Sequence, residues 1–382
     1  MFELEQPNYS DLEKLDEQIS KRYEVINVIG KGAYGIVWKA FDKHSGSKQL
    51  IALKKVFNAF KSSMDAQHIY REVSYLLELR GHPFIINLKN VHRSENDKDL
   101  YLVFELMETN LNALIVSNLL QDIHKRYIFW QLLTVIKFIH SARLMHRDLK
   151  PSNLLINNDS SIKLCDFGLS CTFSIQNDTD SNNETGFVID NHPNFIATRW
   201  YRPPEILLGS SYHTPAIDMW SAGCILAELV TGKPLFPGTS SLDQIERVIA
   251  YTGRPTQDII NSIQKSDDDK INVQKILSKI SYTYPPFDFQ KEMKNVPDDA
   301  IDLIKKLTCF NPSQRLTAEK ALEHPYVKQF HSLKKEIVAL RPIQLSLDDT
   351  KKYTVRDYKN QLYKEAVTSP DIPLLKNMKT EK

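Results

Sequence analysis

Alternating and periodic apolar positions divide the chain into two stretches. From Tyr23 to about Leu106, "YEVINVIG", "YGIVWKAFD", "QLIALKKVF" and "DLYLVFELM" are runs of β-branched and aromatic residues separated by turn residues. Such runs predict strands. One segment breaks the rhythm. "DAQHIYREVSYLLELRG" carries Ile69, Val73 and Leu76 at helical spacing, with Asp65 as the expected N-cap and Gly81 at its stop. From about Met107 to Phe330 the period is helical, in "QDIHKRYIFWQLLTVIKFIHS", "AIDMWSAGCILAELVTG", "SLDQIERVIAYTG" and "DDAIDLIKKLTCF". Strands first and helices afterwards predict an α+β fold of two lobes, 23–106 and 107–330. Residues 1–22 are expected to be a loosely attached extension. Residues 172–192, crowded with Asn, Asp, Ser and Thr, are expected to form an exposed loop. Residues 331–382 form a charged extension in which "TVRDYKNQLYKEAV" predicts a helix before a disordered end.

Composition narrows the class of protein. The 382 residues include 49 basic and 47 acidic side chains, a net charge of +2, so no nucleic acid or membrane surface is expected as a partner. No apolar run is long enough to span a bilayer, and the start does not resemble a signal peptide. Four cysteines without metal-type spacing suit free thiols in a reducing compartment, either cytoplasm or nucleus.

Several short motifs carry chemistry. "GKGAYG" (Gly30, Lys31, Gly32, Ala33, Tyr34, Gly35) lies between two predicted strands. A plain glycine turn would read the same way. A dinucleotide fingerprint would lead into a helix, whereas this one suits a hairpin folded over a nucleotide. In "IALKK", Lys54 sits on a strand, where a solvated lysine is the ordinary reading, and Glu72 would ordinarily be surface charge. Together they are similar to the lysine–glutamate ion pair that faces nucleotide phosphates. "HRDLKPSN" matches H-R-D-L-x-x-x-N in full, and "DFG" follows the strand "SIKLC". Asp148 is then expected to take or orient a hydroxyl proton, and Lys150 to neutralise the transferred phosphoryl group. Asn153 and Asp166 are expected to hold Mg²⁺ through oxygen. His146 is expected to pack and hydrogen-bond rather than act as a base. Glu205 in "RPPE" is expected to pair with Arg315, and Asp218 to brace the loop at 146–148. Ordinary caps and surface charges are the alternative for these three.

In this order the motifs resemble a eukaryotic protein kinase over residues 23–330. "ATRWYRPPEILLGSSYHTPAIDMWSAGCILAEL" and "GKPLFPGTSSLDQIERVI" are similar to the mitogen-activated protein kinases, most like the atypical branch called MAP kinase 15. The resemblance implies an ATP- and Mg²⁺-dependent, proline-directed serine/threonine kinase, with the C-terminal extension packing back on the N-lobe. It implies backbone contacts from Glu105 and Met107 to adenine, with Val37, Ala52 and Leu155 around the ring and Phe104 as gatekeeper. Asn110 stands near the expected ribose site, where relatives often carry aspartate. Arg202 and Thr198 are implied in substrate binding, Thr198 through Asp148 and Lys150. Two departures stand out. Relatives carry Thr-x-Tyr where this chain has Pro193, Asn194 and Phe195. Activity without a dual-specificity activator is therefore expected, with Thr179, Ser181 or Thr185 as substitute phosphosites. Beyond "HPY", Lys334 and Lys335 stand where many relatives carry an acidic docking patch, which puts the recruitment of basic docking peptides in doubt. A monomer is expected. The competing readings are an inactive kinase-fold scaffold, a cyclin-dependent kinase and a small-molecule phosphotransferase. The complete catalytic set argues against the first. The sequence "HIYREVSYLL" argues against the second, and the full activation segment against the third.

Overall fold

The computed structural model describes residues 14–45, 49–173, 187–188, 199–264, 267–349 and 351–368. The expected phosphosites Thr179, Ser181 and Thr185, the Pro193–Phe195 stretch and Thr198 lie outside them. Its contacts divide into two compact units. One holds the chain up to Arg80, Ile86–Met107 and the C-terminal helix. The other holds Gly81–Ile85 and the chain from Glu108 to Lys351.

The first unit is built on a five-stranded antiparallel sheet of β1 (Tyr23–Gly32), β2 (Gly35–Asp42), β3 (Gln49–Val56), β4 (Leu88–Arg93) and β5 (Leu100–Glu105), in the order β1-β2-β3-β5-β4. Four of these strands follow the predicted runs. β4, "LKNVHR", is too polar to declare itself and forms by pairing with β5. Because side chains alternate across a strand, β3 sends Ile51, Leu53 and Lys55 to one face and Ala52 and Lys54 to the other. The first face is the core, where Ile51 and Leu53 pack with Ile36, Trp38, Tyr101, Val103, Ile19 and Tyr23.

Residues 16–22 are not loosely attached. Helix α1 (Glu17–Arg22) puts Ile19 into that core at 2% exposure. Asp16 accepts hydrogen bonds from the Tyr101 and Ser94 hydroxyls at 2.9 and 2.6 Å. Its Oδ1 lies 3.8 Å from the buried Lys55 Nζ, which Asp99 approaches to 3.7 Å. A charged run looked detachable in sequence because its apolar anchors are few, Ile19 and the partly buried Leu15.

Helix α2 (Ser63–Glu78) starts one turn earlier than Asp65 suggested. Ser62 is the cap. Its Oγ accepts from the Asp65 backbone N–H and donates to the Asp65 carboxylate at 2.7 Å. Such a cap is worth ~1 kcal/mol. The expected C-terminal helix spans Val355–Thr368 and packs on α2. Thr354 and Asp357 cap its start reciprocally.

The second unit is helical. Helix α3 (Asp122–Ser141) is buried on all sides through its second half, and helix α4 (Ala216–Thr231) is buried almost throughout. A helix apolar all round belongs in a core. The amphipathic helix α5 (Asp298–Leu307) packs against α4. The loops that follow α3 and precede α4 are thereby set on a rigid base.

Candidate active site

The first unit supplies a hairpin and an ion pair. Gly30, Gly32 and Gly35 face Val37, Gly35 and Gly32 across the β1–β2 ladder, with Ala33 and Tyr34 at the turn between the strands. The glycines have different reasons. A Cβ on Gly35 would lie 2.1 Å from the Lys55 carbonyl oxygen, so close packing against β3 requires glycine there. A Cβ on Gly32 would meet nothing within 4 Å, so that position has room for a phosphate to approach its backbone. Register then gathers the other residues. Val37 pairs with Lys54 and Ala52 with Phe104, so all four sit on the sheet face opposite the core. Lys54 Nζ donates to Glu72 Oε1 at 2.7 Å, and Glu72 is 5% exposed. The Glu105 N–H donates to the Asn87 carbonyl at 3.2 Å. Met107 follows two residues on, at 9% exposure.

The second unit holds the residues expected to handle a proton and a metal. Asp148 is 8% exposed, and its carboxylate accepts from Lys150 Nζ at 2.6 Å. Asn153 Nδ2 donates to the Asp148 carbonyl at 3.0 Å and to its carboxylate at 3.3 Å. The amide nitrogen is thus committed inside the loop, and the amide oxygen is the atom suited to a metal. Asp166, at the start of "DFG", adopts φ 67, and Arg147 adopts φ 68. Non-glycine residues in the left-handed region mark backbone held by its surroundings, commonly at functional sites. Among the described residues no cluster of three or more His, Cys, Asp and Glu could cage a metal. Two oxygen donors still fit Mg²⁺, which keeps waters and takes its remaining ligands from phosphates.

The loop is braced from beneath. Asp218 is fully buried and accepts from the His146 and Arg147 backbone N–H groups at 2.9 and 2.8 Å, and from His140 Nε2 at 2.8 Å. Burial alone would raise the Asp218 carboxyl, but the His140 hydrogen bond and the backbone donors hold it below the usual carboxylate value. His146 Nε2 bonds the Cys165 carbonyl at 3.1 Å, and its ring lies 4.9 Å from Phe167. It thus joins the 146–153 loop to "DFG", in a packing role. His140 carries no local motif, and only its approach to Asp218 reveals its part.

Arg315 binds Glu205 through Nη1 and Nη2, each at 2.7 Å, and also donates to the carbonyls of Ala216, Phe310 and Cys309. Arg202 lines a pocket with Asp148, Tyr201, Pro203, Ile206 and Ile217. Asn110 Oδ1 accepts from the Ala113 N–H at 3.1 Å and caps helix Leu111–Ser117. Leu155 pairs with Asn110 in a short three-stranded sheet.

Burial raises the pKa of Asp148, Lys150 opposes it, and Asp166 raises it further. A raised pKa means that the carboxylate is lost at a higher pH as acid is added. The acid limb of kcat/KM is therefore expected above the ordinary aspartate value of 3.8. Lys150→Gln removes the opposing charge and should move that limb higher still. A pH–rate profile in which the limb stays put or moves down would contradict the assignment.

The model of the protein kinase domain matches residues 23–327. Mitogen-activated protein kinase 15 of Xenopus laevis is 47% identical over 92% of this chain. Extracellular signal-regulated kinase 2 of Dictyostelium discoideum is 45% identical over 93% of it. Mitogen-activated protein kinase 15 of Rattus norvegicus is 42% identical over 92%. The chain spans 58% of the Xenopus protein, 92% of the Dictyostelium protein and 62% of the rat protein. It belongs to the protein kinase family, among the mitogen-activated protein kinases.

Proposed function

We propose that this chain is an ATP- and Mg²⁺-dependent, proline-directed protein kinase, competent without phosphorylation by a dual-specificity activator. The observation that carries this reading is the Lys54–Glu72 bond, formed at 2.7 Å in a chain lacking Thr-x-Tyr before "ATRW". With that pair closed, Lys54 is directed at the α- and β-phosphates. Asp148 orients the substrate hydroxyl and takes its proton as the oxygen meets the γ-phosphorus. Lys150 offsets charge on the transferred group. Bound Mg²⁺, held by Asp166 and Asn153, would neutralise the phosphates. Pro203, Ile206, Ile217 and the Tyr201 ring beside Arg202 support a preference for proline after the phosphorylated residue, since such walls suit a ring without an N–H.

Other parts of the reading have their own support. The four cysteines are not joined in disulfides, which suits cytoplasm or nucleus. Among the described residues no helix is long and apolar enough to cross a membrane. Beyond Phe330, the Glu336 carboxylate is buried, accepting from Trp130 Nε1 at 3.0 Å and from His331. That carboxylate is engaged inside the protein and is not presented to a basic docking peptide.

Protein made in bacteria, treated with phosphatase and purified should phosphorylate Ser-Pro and Thr-Pro peptides. Their Ser-Ala and Thr-Ala counterparts should react at least about tenfold more slowly. Protein inert until an upstream kinase acts would overturn activator independence. Equal rates on both peptide sets would overturn the proline preference, and no transfer at all would favour a scaffold.

A further inference from the structure

Helix α2 has two working sides. Glu72 reaches Lys54 from one of them. Tyr70 and Ser74 lie about 200° around the helix from Glu72, on the other side. There both hydroxyls donate to one carboxylate of the C-terminal helix. Tyr70 Oη reaches Glu365 Oε1 at 3.1 Å, and Ser74 Oγ reaches Glu365 Oε2 at 2.5 Å. Glu365 lies 291 residues from Ser74 in sequence. Gln361 Nε2 steadies the same carboxylate at 2.9 Å.

The geometry points to Glu365 as a positioning residue for phosphoryl transfer, acting through Tyr70 and Ser74 on the Lys54–Glu72 pair. Apolar contacts already dock the two helices. Tyr358 and Leu362 are buried at 2% and 0%, and the Tyr70 and Tyr358 rings lie 5.7 Å apart. Those contacts are non-directional and fix no polar atom by themselves. Two hydrogen bonds to a charged acceptor are directional and stronger than neutral ones. A rotation of about 20° at a side-chain radius of ~6 Å moves a carboxylate by ~2 Å. That displacement is enough to break a 2.7 Å ion pair. Ser63 Oγ donates to the Tyr353 carbonyl at 2.6 Å and fixes the first turn of α2 to the same extension. The extension thus determines where Glu72 points, in a chain whose activation segment lacks the Thr-x-Tyr hydroxyls.

The test uses the full chain and a mixed serine/threonine peptide library, so that it does not depend on proline preference. Activity is normalised to the folded fraction. Glu365→Ala should lower kcat about tenfold, the scale of a lost charged hydrogen bond. The KM for peptide should stay unchanged. Glu365→Gln, which keeps an acceptor oxygen, should recover at least about half of wild-type kcat. In a Glu72→Gln background, Glu365→Ala should add less than about a twofold further loss, because the pair it positions is already broken. A purely structural residue would reduce the folded fraction and leave kcat per folded molecule intact, and that result overturns the proposal. So does a full further tenfold loss of kcat in the Glu72→Gln background, which would show that Glu365 acts independently of the pair. Should Glu365→Ala fail to fold, the Tyr70→Phe, Ser74→Ala double variant keeps the carboxylate and its helix in place. It carries the same expected loss of kcat and the same overturning result.

Discussion

Asp166→Asn is expected to abolish phosphoryl transfer, lowering kcat by about a thousandfold or more, and to leave the protein folded. The two effects separate for a physical reason. Asparagine matches aspartate in shape and is among the few residues that tolerate the left-handed φ of 67 found at this position. The backbone of "DFG" can therefore stay where it is, with Phe167 buried against the His146 ring. What disappears is the full negative charge that a hard divalent cation requires. Lys54→Met is expected to act in the same way from the first unit. It removes the cation aimed at the phosphates and keeps a stem of similar length on β3. Steady-state kinetics with a thermal melt checks both variants. Wild-type kcat in either one would remove that residue from its assigned role. A collapse of the melt together with activity would show that the position is structural.

The second large effect concerns stability. Arg315→Ala should destabilise the chain by about 3–5 kcal/mol, because it strips the partner from a buried carboxylate. Glu205 and Arg315 are 3% and 6% exposed. Removing the arginine also abandons three backbone carbonyls, those of Ala216, Phe310 and Cys309. A Glu205→Gln, Arg315→Met double change should be milder than Arg315→Ala, since it buries no unpaired charge. Chemical denaturation of the three proteins measures this order. A single variant within about 1 kcal/mol of wild type would show that the pair is dispensable. So would a double variant worse than Arg315→Ala.

Much of the site was legible in the chain because its determinants are local. Asp148, Lys150 and Asn153 lie within six residues, and their mutual hydrogen bonds follow from that closeness. The strands around "GKGAYG" were readable because alternation is a property of neighbours. The failures have an equally definite cause. β4 carries little apolar pattern and depends on β5. The lead-in at 16–22 is held by Tyr101, Ser94 and Lys55, all far along the chain. Asp65 looked like a cap because its side chain suits one, but Ser62 had the extended backbone that a cap requires, with φ −134 and ψ 164.

The adjacent lysines of "IALKK" mark the boundary between the two kinds of information. Sequence alone established that a strand with period two must send Lys54 and Lys55 to opposite faces. It also pointed to the chemistry that the surrounding motifs suit. Only the tertiary structure assigned the partners, giving Lys54 to Glu72 and burying Lys55 between Asp16 and Asp99. The same holds for Glu365, whose hydrogen bonds to Tyr70 and Ser74 leave no trace in any local pattern. Periodicity and motif spacing are set by covalent neighbours a few residues apart. Contacts across tens or hundreds of residues depend on the path of the whole chain, and there the fold decides.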